Sequence, residues 1–183
     1  MDFESAVAHL QTQETWVDGA AALARLGDRR GLLPLMRAYE SRAEGGRRCL
    51  HDAMDALGGA AAARELIVSA DVEERRVGAH LMQLFPDGGH IAPLAAAGSD
   101  PDEHVRRQAL RALAGQRQTE AWEAAVVKLI DAADPEVRIA AAGCLEHRRT
   151  SAARQALRAR VGHEQDERAE AAIRHALEEN ERG

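Results

Sequence analysis

The chain has 183 residues, a formal net charge of −6 and a hydrophobic content of 45%, which is typical of one globular domain and excludes a chain that is disordered throughout. Aromatic residues make up only 3%, so the core must be built from small and aliphatic side chains through many repeated contacts. The acidic balance gives no overall attraction to phosphate backbones and disfavours nucleic acid as the partner.

The start of the chain gives no sign of a targeting or membrane segment. Residues 1–13 are acidic and lack the basic region and apolar stretch of a secretory signal, and no segment approaches the ~18–20 apolar residues of a membrane span. The two cysteines, Cys49 and Cys144, have no CxxC spacing, which disfavours a structural zinc site and indicates core residues in a reducing compartment. We therefore expect a soluble, cytoplasmic protein.

Apolar residues at helical spacing predict helices along the whole chain, beginning with a leading helix near residues 2–11. A set of first helices is predicted near residues 14–26, 46–57, 72–85, 101–114, 134–147 and 166–180. A set of second helices is predicted between them, near residues 30–41, 60–69, 88–97, 118–132 and 150–161. No window alternates with a period of two residues, so no strand is predicted.

Leucines recur along both helix sets. In the first set Leu113, Leu145 and Leu177 are separated by 32 residues twice over. Toward the N-terminus, similar stretches end at Leu84, Leu57 and Leu26. The second set carries a matching series of Leu35, Leu66, Leu94, Leu129 and Leu157. Two interleaved series with a period of about 30 residues indicate a helix-pair repeat, and hairpins this short must stack to bury their apolar faces.

Residues that start and stop helices lie where such a repeat needs them. Asp102, Asp134 and Asp166 precede apolar runs and can accept backbone N–H bonds at helix starts. Glycines follow the ends of three first helices, at Gly27, Gly58 and Gly115. A residue that can take a positive φ is useful at these ends.

Two stretches resemble HEAT repeats, of the bacterial variety named after phycobilisome lyases. They are LGDRRGLLPLMRAYE at residues 26–40 and Asp-Pro-Glu-Val-Arg-x-x-Ala-x-x-x-Leu at residues 134–145. The resemblance covers nearly the whole chain and implies an all-α fold, a right-handed α-solenoid of about five to six helix pairs. It also implies that the Arg after the core Val, here Arg106 and Arg138, ties neighbouring repeats together through an acidic residue.

Two repeats depart from this pattern, since the third offers Arg75 and Arg76 with a one-residue shift and the last has Ala169 and Glu170. We expect a single domain over residues 1–183. Its parts are an N-terminal cap at 1–13, repeats at 14–45, 46–70, 71–99, 100–132 and 133–162, and a C-terminal capping helix at 163–183.

Catalytic, cofactor and metal sites are not predicted, and we do not expect an enzyme. The His-Glu and Glu-His pairs fall at different positions of the repeat and cannot converge on one metal: Glu103-His104, Glu146-His147 and His163-Glu164. Trp122 is in phase with the apolar residues of its helix, so we expect it in the core rather than in a base-binding groove. The serines form no Gly-x-Ser-x-Gly elbow.

The leading hypothesis is a protein-binding scaffold, adaptor or regulatory subunit that uses a concave face formed by the second helices. Candidate contact residues are the non-core positions of these helices, namely Arg30, Arg37, Tyr39, Arg64, His90, Glu123, Lys128, Arg154 and Arg158. The sequence leaves the identity of the partner, the pathway and the oligomeric state open.

Two alternatives stay open. The resemblance allows a phycobilin lyase or isomerase-like subunit. The arginine-rich segment from Arg148 to Arg160 allows nucleic-acid binding, or the gripping of an acidic partner. The same arginines could instead pair with the acidic helix that follows, and we favour this third interpretation because acids and bases nearly balance over residues 101–183.

Overall fold

The computed structural model describes residues 1–42 and 44–182. Over these residues the chain forms twelve α-helices and two short 3-10 turns and contains no β-strand, which confirms the predicted all-α fold class. Ala43, in the predicted first repeat, and Gly183, at the end of the predicted capping segment, lie outside the described residues. The chain divides into two compact units, Met1–Phe85 and Pro86–Gly183.

The first unit contains six helices. They are α1 (Phe3–Leu10), α2 (Trp16–Leu26), α3 (Leu32–Ser41), α4 (Glu44–Ala56), α5 (Gly59–Leu66) and α6 (Val72–Leu84). Helix α2 packs on α1 and α4, α3 packs on α4, and α5 packs on α6. Each helix lies close to the range predicted for it, so the predicted order of first and second helices is present throughout this unit.

The second unit also contains six helices among its described residues. They are α7 (Ile91–Ala97), α8 (Glu103–Ala114), α9 (Glu120–Leu129), α10 (Pro135–Leu145), α11 (Ser151–Val161) and α12 (Glu167–Glu181). Helices α8, α10 and α12 contact one another in sequence order and form one layer, which we call the first-helix layer. Helices α7, α9 and α11 form the other layer, and α7·α8, α9·α10 and α11·α12 contacts join the two.

The predicted capping aspartates start three helices of the second unit. The carboxylate of Asp102 accepts the backbone N–H of Val105 at the start of α8. Asp134 caps α10, where Pro135 occupies the first turn, and Asp166 caps α12. Each cap satisfies a backbone donor that has no partner within its helix, which stabilises the helix by about 1 kcal/mol.

The glycines after the first helices differ in conformation. Gly27 and Gly58 have φ values of 67° and 73°, which favour glycine because other residues rarely adopt them. These two expectations are confirmed. Gly115 has a φ of −80°, so the end of α8 does not require a positive φ.

Short 3-10 turns precede α3 and α7, which therefore begin later than the predicted second helices. The turns span Arg29–Gly31 and Gly88–His90. Asp28 and Asp87 precede these turns, and each side chain accepts a backbone N–H from within its turn. An aspartate can satisfy such an early donor while the chain bends, and the regular α-helix then starts at the next residue.

The core of each unit is built mainly from alanine and leucine. Leu23 and Leu35 are completely buried in the first unit, and Leu113 and Leu145 are at most 1% exposed in the second. Each fully buried leucine stabilises the fold by about 1.5–3 kcal/mol. Leu26 is an exception within its predicted series, since 44% of its surface is exposed at the last residue of α2.

Candidate functional site

Arg106 ties α8 to the start of α10. Its Nε lies 3.0 Å from Oδ2 of Asp134, and its Nη1 donates to the carbonyls of Asp100 and Pro101 at 2.9 and 3.1 Å. The guanidinium therefore bridges the loop before its own helix and the cap of the next first helix. The predicted structural role of this arginine is confirmed.

Arg138 makes the same connection in the next repeat, in a more buried position. Its guanidinium donates to both carboxylate oxygens of Glu164, each at 2.6 Å, and Nη1 donates to the carbonyls of Ala132 and Ala133. The Arg138 and Glu164 side chains are 7% and 0% exposed. The arginine holds the pKa of the Glu164 carboxyl well below its usual range because it hydrogen-bonds the charged form.

Arg75 occupies the equivalent position in the first unit. It donates to the carbonyls of Ser69 and Ala70, six and five residues earlier, as Arg106 and Arg138 do with their own loops. It also lies four residues after its capping aspartate, Asp71. Arg106 and Arg138 also lie four residues after their capping aspartates. When the repeats are aligned at these caps rather than at the leucines, the predicted one-residue shift is absent.

The predicted contact residues of the first unit are partly exposed and are spread over different elements. Arg30 lies in the first 3-10 turn, Arg37 on α3 and Arg64 on α5, and all three are exposed. Tyr39 on α3 is half-buried, with its ring edge-to-face against the ring of His80 at a centroid distance of 5.9 Å. The structure does not gather these side chains into one site.

Two predicted contact residues of the second unit are buried. His90 is 0% exposed, and neither of its ring nitrogens has a hydrogen-bond partner among the described residues. Glu123 is 7% exposed because Arg148 and Thr150 cover it, with Arg148 Nη2 donating to its carboxylate at 2.7 Å and the Thr150 hydroxyl donating as well. Neither side chain presents more than a small surface to a partner.

The remaining predicted contact residues are the exposed Lys128 on α9, and Arg154 and Arg158 on α11. Arg154 donates to backbone carbonyls at its own helix start. Arg158 donates to Glu181 of α12 at 2.6 Å. Arg160 likewise donates to Glu164. Arg158 and Arg160 therefore pair with the acidic segment that follows, whereas Arg148 pairs with Glu123 and neither Arg149 nor Arg154 forms an ion pair with a described residue. The favoured interpretation holds for two of the five arginines.

A groove lies elsewhere in the second unit, between α8 and α10 of the first-helix layer. This groove has a volume of about 770 Å³. We call it the α8–α10 groove. Leu110 and Ala114 line it on the α8 side, and Ile139, Ala140 and Gly143 line it on the α10 side. Its base is therefore apolar and is formed mostly by small side chains. The sequence analysis did not predict it.

Gly143 marks the open centre of the groove. A Cβ placed on Gly143 would meet no heavy atom within 4 Å, so the space above it is free. A glycine in the middle of α10 lowers helix stability by about 0.5–1 kcal/mol relative to alanine. The sequence signal that could have indicated the groove is the run of small residues over 140–144, which leaves α10 without a large side chain at this position.

The two ends of the groove differ in charge. At the helix starts, Glu103, Asp134 and Glu136 line it together with Arg106 and Arg107, and at the helix ends Arg111, His147 and Arg148 do so. The starts of α8 and α10 lie side by side, because an ion pair joins the first turn of α8 to the cap of α10. The end at the helix starts therefore carries charges of both signs, and the end at the helix ends is basic.

Trp122 closes the basic end. It is 0% exposed, and its ring nitrogen donates to the carbonyl of Leu113 at 2.7 Å, which confirms its predicted place in the core. The guanidinium of Arg148 lies 5.8 Å from the centre of the ring. Arg148 is fixed there by its bond to Glu123, so this end of the groove is rigid.

Cys144 also lines the groove, and burial raises the pKa of its thiol to about 11. At neutral pH it is therefore a protonated thiol rather than a nucleophilic thiolate. Among the described residues, no group of three or more His, Cys, Asp or Glu side chains could hold a metal ion. No helix in this part of the chain is long and apolar enough to cross a membrane.

Residues 91–178 match the HEAT repeat family. This segment covers most of the second unit, including α8 and α10, so the groove lies between HEAT repeats. No curated protein sequence matches the chain.

One solved structure shares the fold along nearly the whole chain, and another is similar at a slightly lower score. A computationally designed armadillo repeat protein for modular peptide recognition is 17% identical, with 97% of this chain and 99% of that chain covered and a TM-score of 0.50. An engineered protein solved as a structural-genomics target is 20% identical, with 100% and 98% covered and a TM-score of 0.49. The HEAT-like repeat fold is thus confirmed, and the phycobilisome-lyase variety stays a prediction.

Proposed function

We propose that the chain is a non-catalytic protein-binding module and that its second unit holds a segment of a partner protein in the α8–α10 groove. The observation that carries this proposal is the groove itself, with an apolar base and charged ends between two helices. Its volume of about 770 Å³ lies within the range of ligand-binding clefts. Arg106 and Arg148 each form an ion pair at its edge, so the groove is largely formed before a partner arrives.

The chemistry of the groove supports binding rather than catalysis. A catalytic site needs a nucleophile, an acid or a base whose protonation suits the reaction. Cys144 is held protonated by burial. Arg106 and Arg148 are each engaged by an acidic partner. Small apolar residues beside fixed charges suit a segment that buries apolar side chains and matches charges at its ends.

Within the second unit, the exposed second-helix residues Lys128 and Arg158 form a further proposed contact surface, and the exposed Arg37 and Arg64 are proposed contacts of the first unit. Arg37, Arg64, Lys128 and Arg158 are exposed, so they remain accessible to a partner. Arg158 is already paired with an acid, and salt bridges between exposed groups contribute about 0–1 kcal/mol. We therefore expect this surface to add specificity while the groove supplies most of the affinity. A designed armadillo protein with the same fold is described as made for modular peptide recognition.

We also propose a reducing, cytoplasmic location. Cys49 and Cys144 are both free thiols, and each is half-buried in its helix. A disulfide-forming compartment offers no stabilisation to a chain that has no disulfide between its two cysteines.

A groove-filling substitution tests the proposed function. Gly143→Leu places a side chain in the open space of the groove, since a Cβ there meets nothing within 4 Å. Gly162→Leu is the matched control, because a Cβ at Gly162 also meets nothing within 4 Å and Gly162 lies outside the groove. Both variants and the original chain are immobilised and exposed to lysate of the source organism with and without nuclease treatment, and retained proteins are identified by mass spectrometry.

We expect a defined protein to be retained by the original chain and by Gly162→Leu, and lost with Gly143→Leu. Circular dichroism melting shows whether each variant remains folded. Retention of the same proteins by all three chains would contradict a role for the groove. Retention that disappears only after nuclease treatment would instead favour nucleic-acid binding.

A further inference from the structure

We propose that the occupant of the α8–α10 groove is one amphipathic helix of about three turns, running antiparallel to α8 and α10, with acidic residues in its first turn. This inference rests on the proposed function, because it names the kind of partner segment that the same groove takes. The groove's shape, its small-residue base and its uncompensated charge each support a part of it.

The shape of the groove fits a helix. On α8 the lining residues include Arg107, Arg111 and Ala114, which recur at three- and four-residue steps along one helix face. On α10, Ile139 and Gly143 continue the same kind of stripe. The 12 residues of α8 make it about 18 Å long. The groove is therefore an elongated channel, parallel to both helices, that a helix of about three turns would fill.

The base of the groove permits a close approach. Ala140 and Gly143 of α10 present little or no side chain, and the larger Leu110 and Ile139 also line the groove. Helices pack at axial distances of about 8–10 Å when small residues lie at the contact. An occupant helix with leucine-sized residues at positions i, i+3 or i+4, and i+7 would place them over Ala140 and Gly143.

The uncompensated charge of the groove lies at one end. At the end formed by the helix starts, each acid pairs with an arginine: Asp134 with Arg106 at 3.0 Å, Glu103 with Arg107, and Glu136 with Arg168 at 2.7 Å. At the other end, Arg111 lies in the last turn of α8, is exposed, and forms no ion pair with any described residue. The occupant must therefore bring acidic residues to the ends of α8 and α10.

The direction of the occupant follows from the helix dipole. Acidic side chains stabilise a helix when they lie in its first turn, where the dipole is positive. An occupant whose acids both stabilise its own helix and meet Arg111 must therefore start at the C-terminal ends of α8 and α10. It then runs antiparallel to both, so its dipole also opposes theirs.

Two synthetic peptides of identical composition test this inference. Both contain about 14 residues, carry leucines along one face, and are held helical by a side-chain cross-link, because free helices of this length are marginal in water. The acid-first peptide has glutamates in its first turn and lysines in its last turn, and the base-first peptide has these charges exchanged. Binding to the full chain is measured by fluorescence anisotropy at low and at physiological salt.

We expect the acid-first peptide to bind about tenfold more tightly than the base-first peptide, a difference that corresponds to about 1.4 kcal/mol. Arg111→Glu is expected to reverse this preference. Arg149→Glu is the matched control, because Arg149 is exposed and makes the same charge change outside the groove. Gly143→Leu is expected to abolish the binding of both peptides, while Gly162→Leu leaves it unchanged.

Equal binding of the two peptides, or an unchanged preference in Arg111→Glu, would overturn the assigned charge and direction. Peptide binding that persists in Gly143→Leu would show that the peptides do not bind in the α8–α10 groove. If neither peptide binds while a protein is still captured in a Gly143-dependent manner, this inference falls and the proposed function stands. If neither peptide binds and no such capture occurs, both fall.

Discussion

Helix α10 has a neighbour on each side in the first-helix layer, and both interfaces carry the same arginine tie. Arg106 reaches from α8 to Asp134 at the start of α10, and Arg138 reaches from α10 to Glu164 before α12. Yet α12 packs along α10, with its Ile173 completely buried, whereas the α8 side leaves a groove of about 770 Å³. The tie therefore fixes how the helix starts meet but not how far apart the helices lie.

The difference between the two interfaces comes from the side chains beyond the tie. Toward α12, Asn180 is buried and donates to the carbonyls of Leu145 and Arg148 at the end of α10, so the interface is held at both ends. Toward α8, the central residue Gly143 has no side chain and no neighbour within 4 Å of its Cβ direction. One side of α10 is packed against α12, and the other leaves an open groove.

The largest difference in the free energy of unfolding is expected between the variants that lack one or the other arginine tie. Arg138→Met leaves the buried Glu164 carboxylate without its main partner, and we expect the free energy of unfolding to fall by about 3 kcal/mol. Arg106→Met breaks a tie whose side chains are 23% and 30% exposed, and we expect a loss of about 1 kcal/mol. Urea denaturation of the full chain measures both. Equal losses would show that the two interfaces do not differ as described.

The second test concerns the interface between α10 and α12, at the C-terminal end of α10. Asn180→Ala removes two hydrogen bonds to the end of α10, and we expect a loss of about 1–3 kcal/mol because each bond contributes about 0.5–1.5 kcal/mol. Both carbonyls keep a backbone donor, from Arg148 and Thr150. Gln155→Ala is the control, since Gln155 is exposed on α11. Thermal melts followed by circular dichroism compare the variants. A change no larger than that of the control would mean that Asn180 does not hold this end of the interface.

The third test uses pH to weaken the interface between α10 and α12 alone. The pKa of Glu164 is lowered in the folded chain, so its ionised form stabilises the fold at pH values above the unfolded pKa of about 4.3. This stabilisation is lost as pH falls toward the folded pKa, by at most about 1.4 kcal/mol per pH unit. We expect the stability difference between the original chain and Glu164→Gln to be constant from pH 5 to 8 and to shrink below about pH 4. A constant difference down to pH 3 would contradict the assignment.

The smallest change in stability is expected at the interface between α8 and α10, where the groove lies. Gly143→Ala should stabilise the chain by about 0.5–1 kcal/mol, because it raises helix propensity and touches nothing. Gly78→Ala in α6 is the contrasting case, since its Cβ would lie 2.5 Å from the backbone nitrogen of Ile67, and overpacking costs about 1–3 kcal/mol. Chemical denaturation measures both. A loss of stability in Gly143→Ala would mean that the groove is closed in solution.

The sequence predicts the fold well because the repeat depends on residues with strong local roles. An aspartate before an apolar run caps a helix wherever it occurs, as Asp102 and Asp166 do here. Trp122 lies in phase with its apolar neighbours and is buried. The ties of Arg106 and Arg138 follow from the repeat pattern. Each of these features depends on short sequence spacing, which a single sequence displays directly.

The candidate site is less predictable because it depends on distances between helices. Gly143 and Ala140 look like ordinary small repeat residues in the sequence, and only the packing of α8 and α10 turns them into the base of a groove. Glu123 lies at a polar position of its helix, and it is buried because Arg148, from the next loop, covers it. His90 is buried at the end of a 3-10 turn, where helical periodicity does not apply.

Asp134 illustrates a further consequence of the arginine ties. One carboxylate oxygen accepts the backbone N–H of Glu136 at the start of α10, and the other lies 3.0 Å from Arg106. The Asp134 side chain thus caps the first helix of one repeat and forms an ion pair with an arginine of the preceding repeat. Local unfolding at the boundary between these two repeats releases the Asp134 carboxylate. Because that carboxylate contacts both repeats, its release weakens both at once. Neighbouring repeats should therefore gain or lose protection from hydrogen exchange together, as one cooperative block.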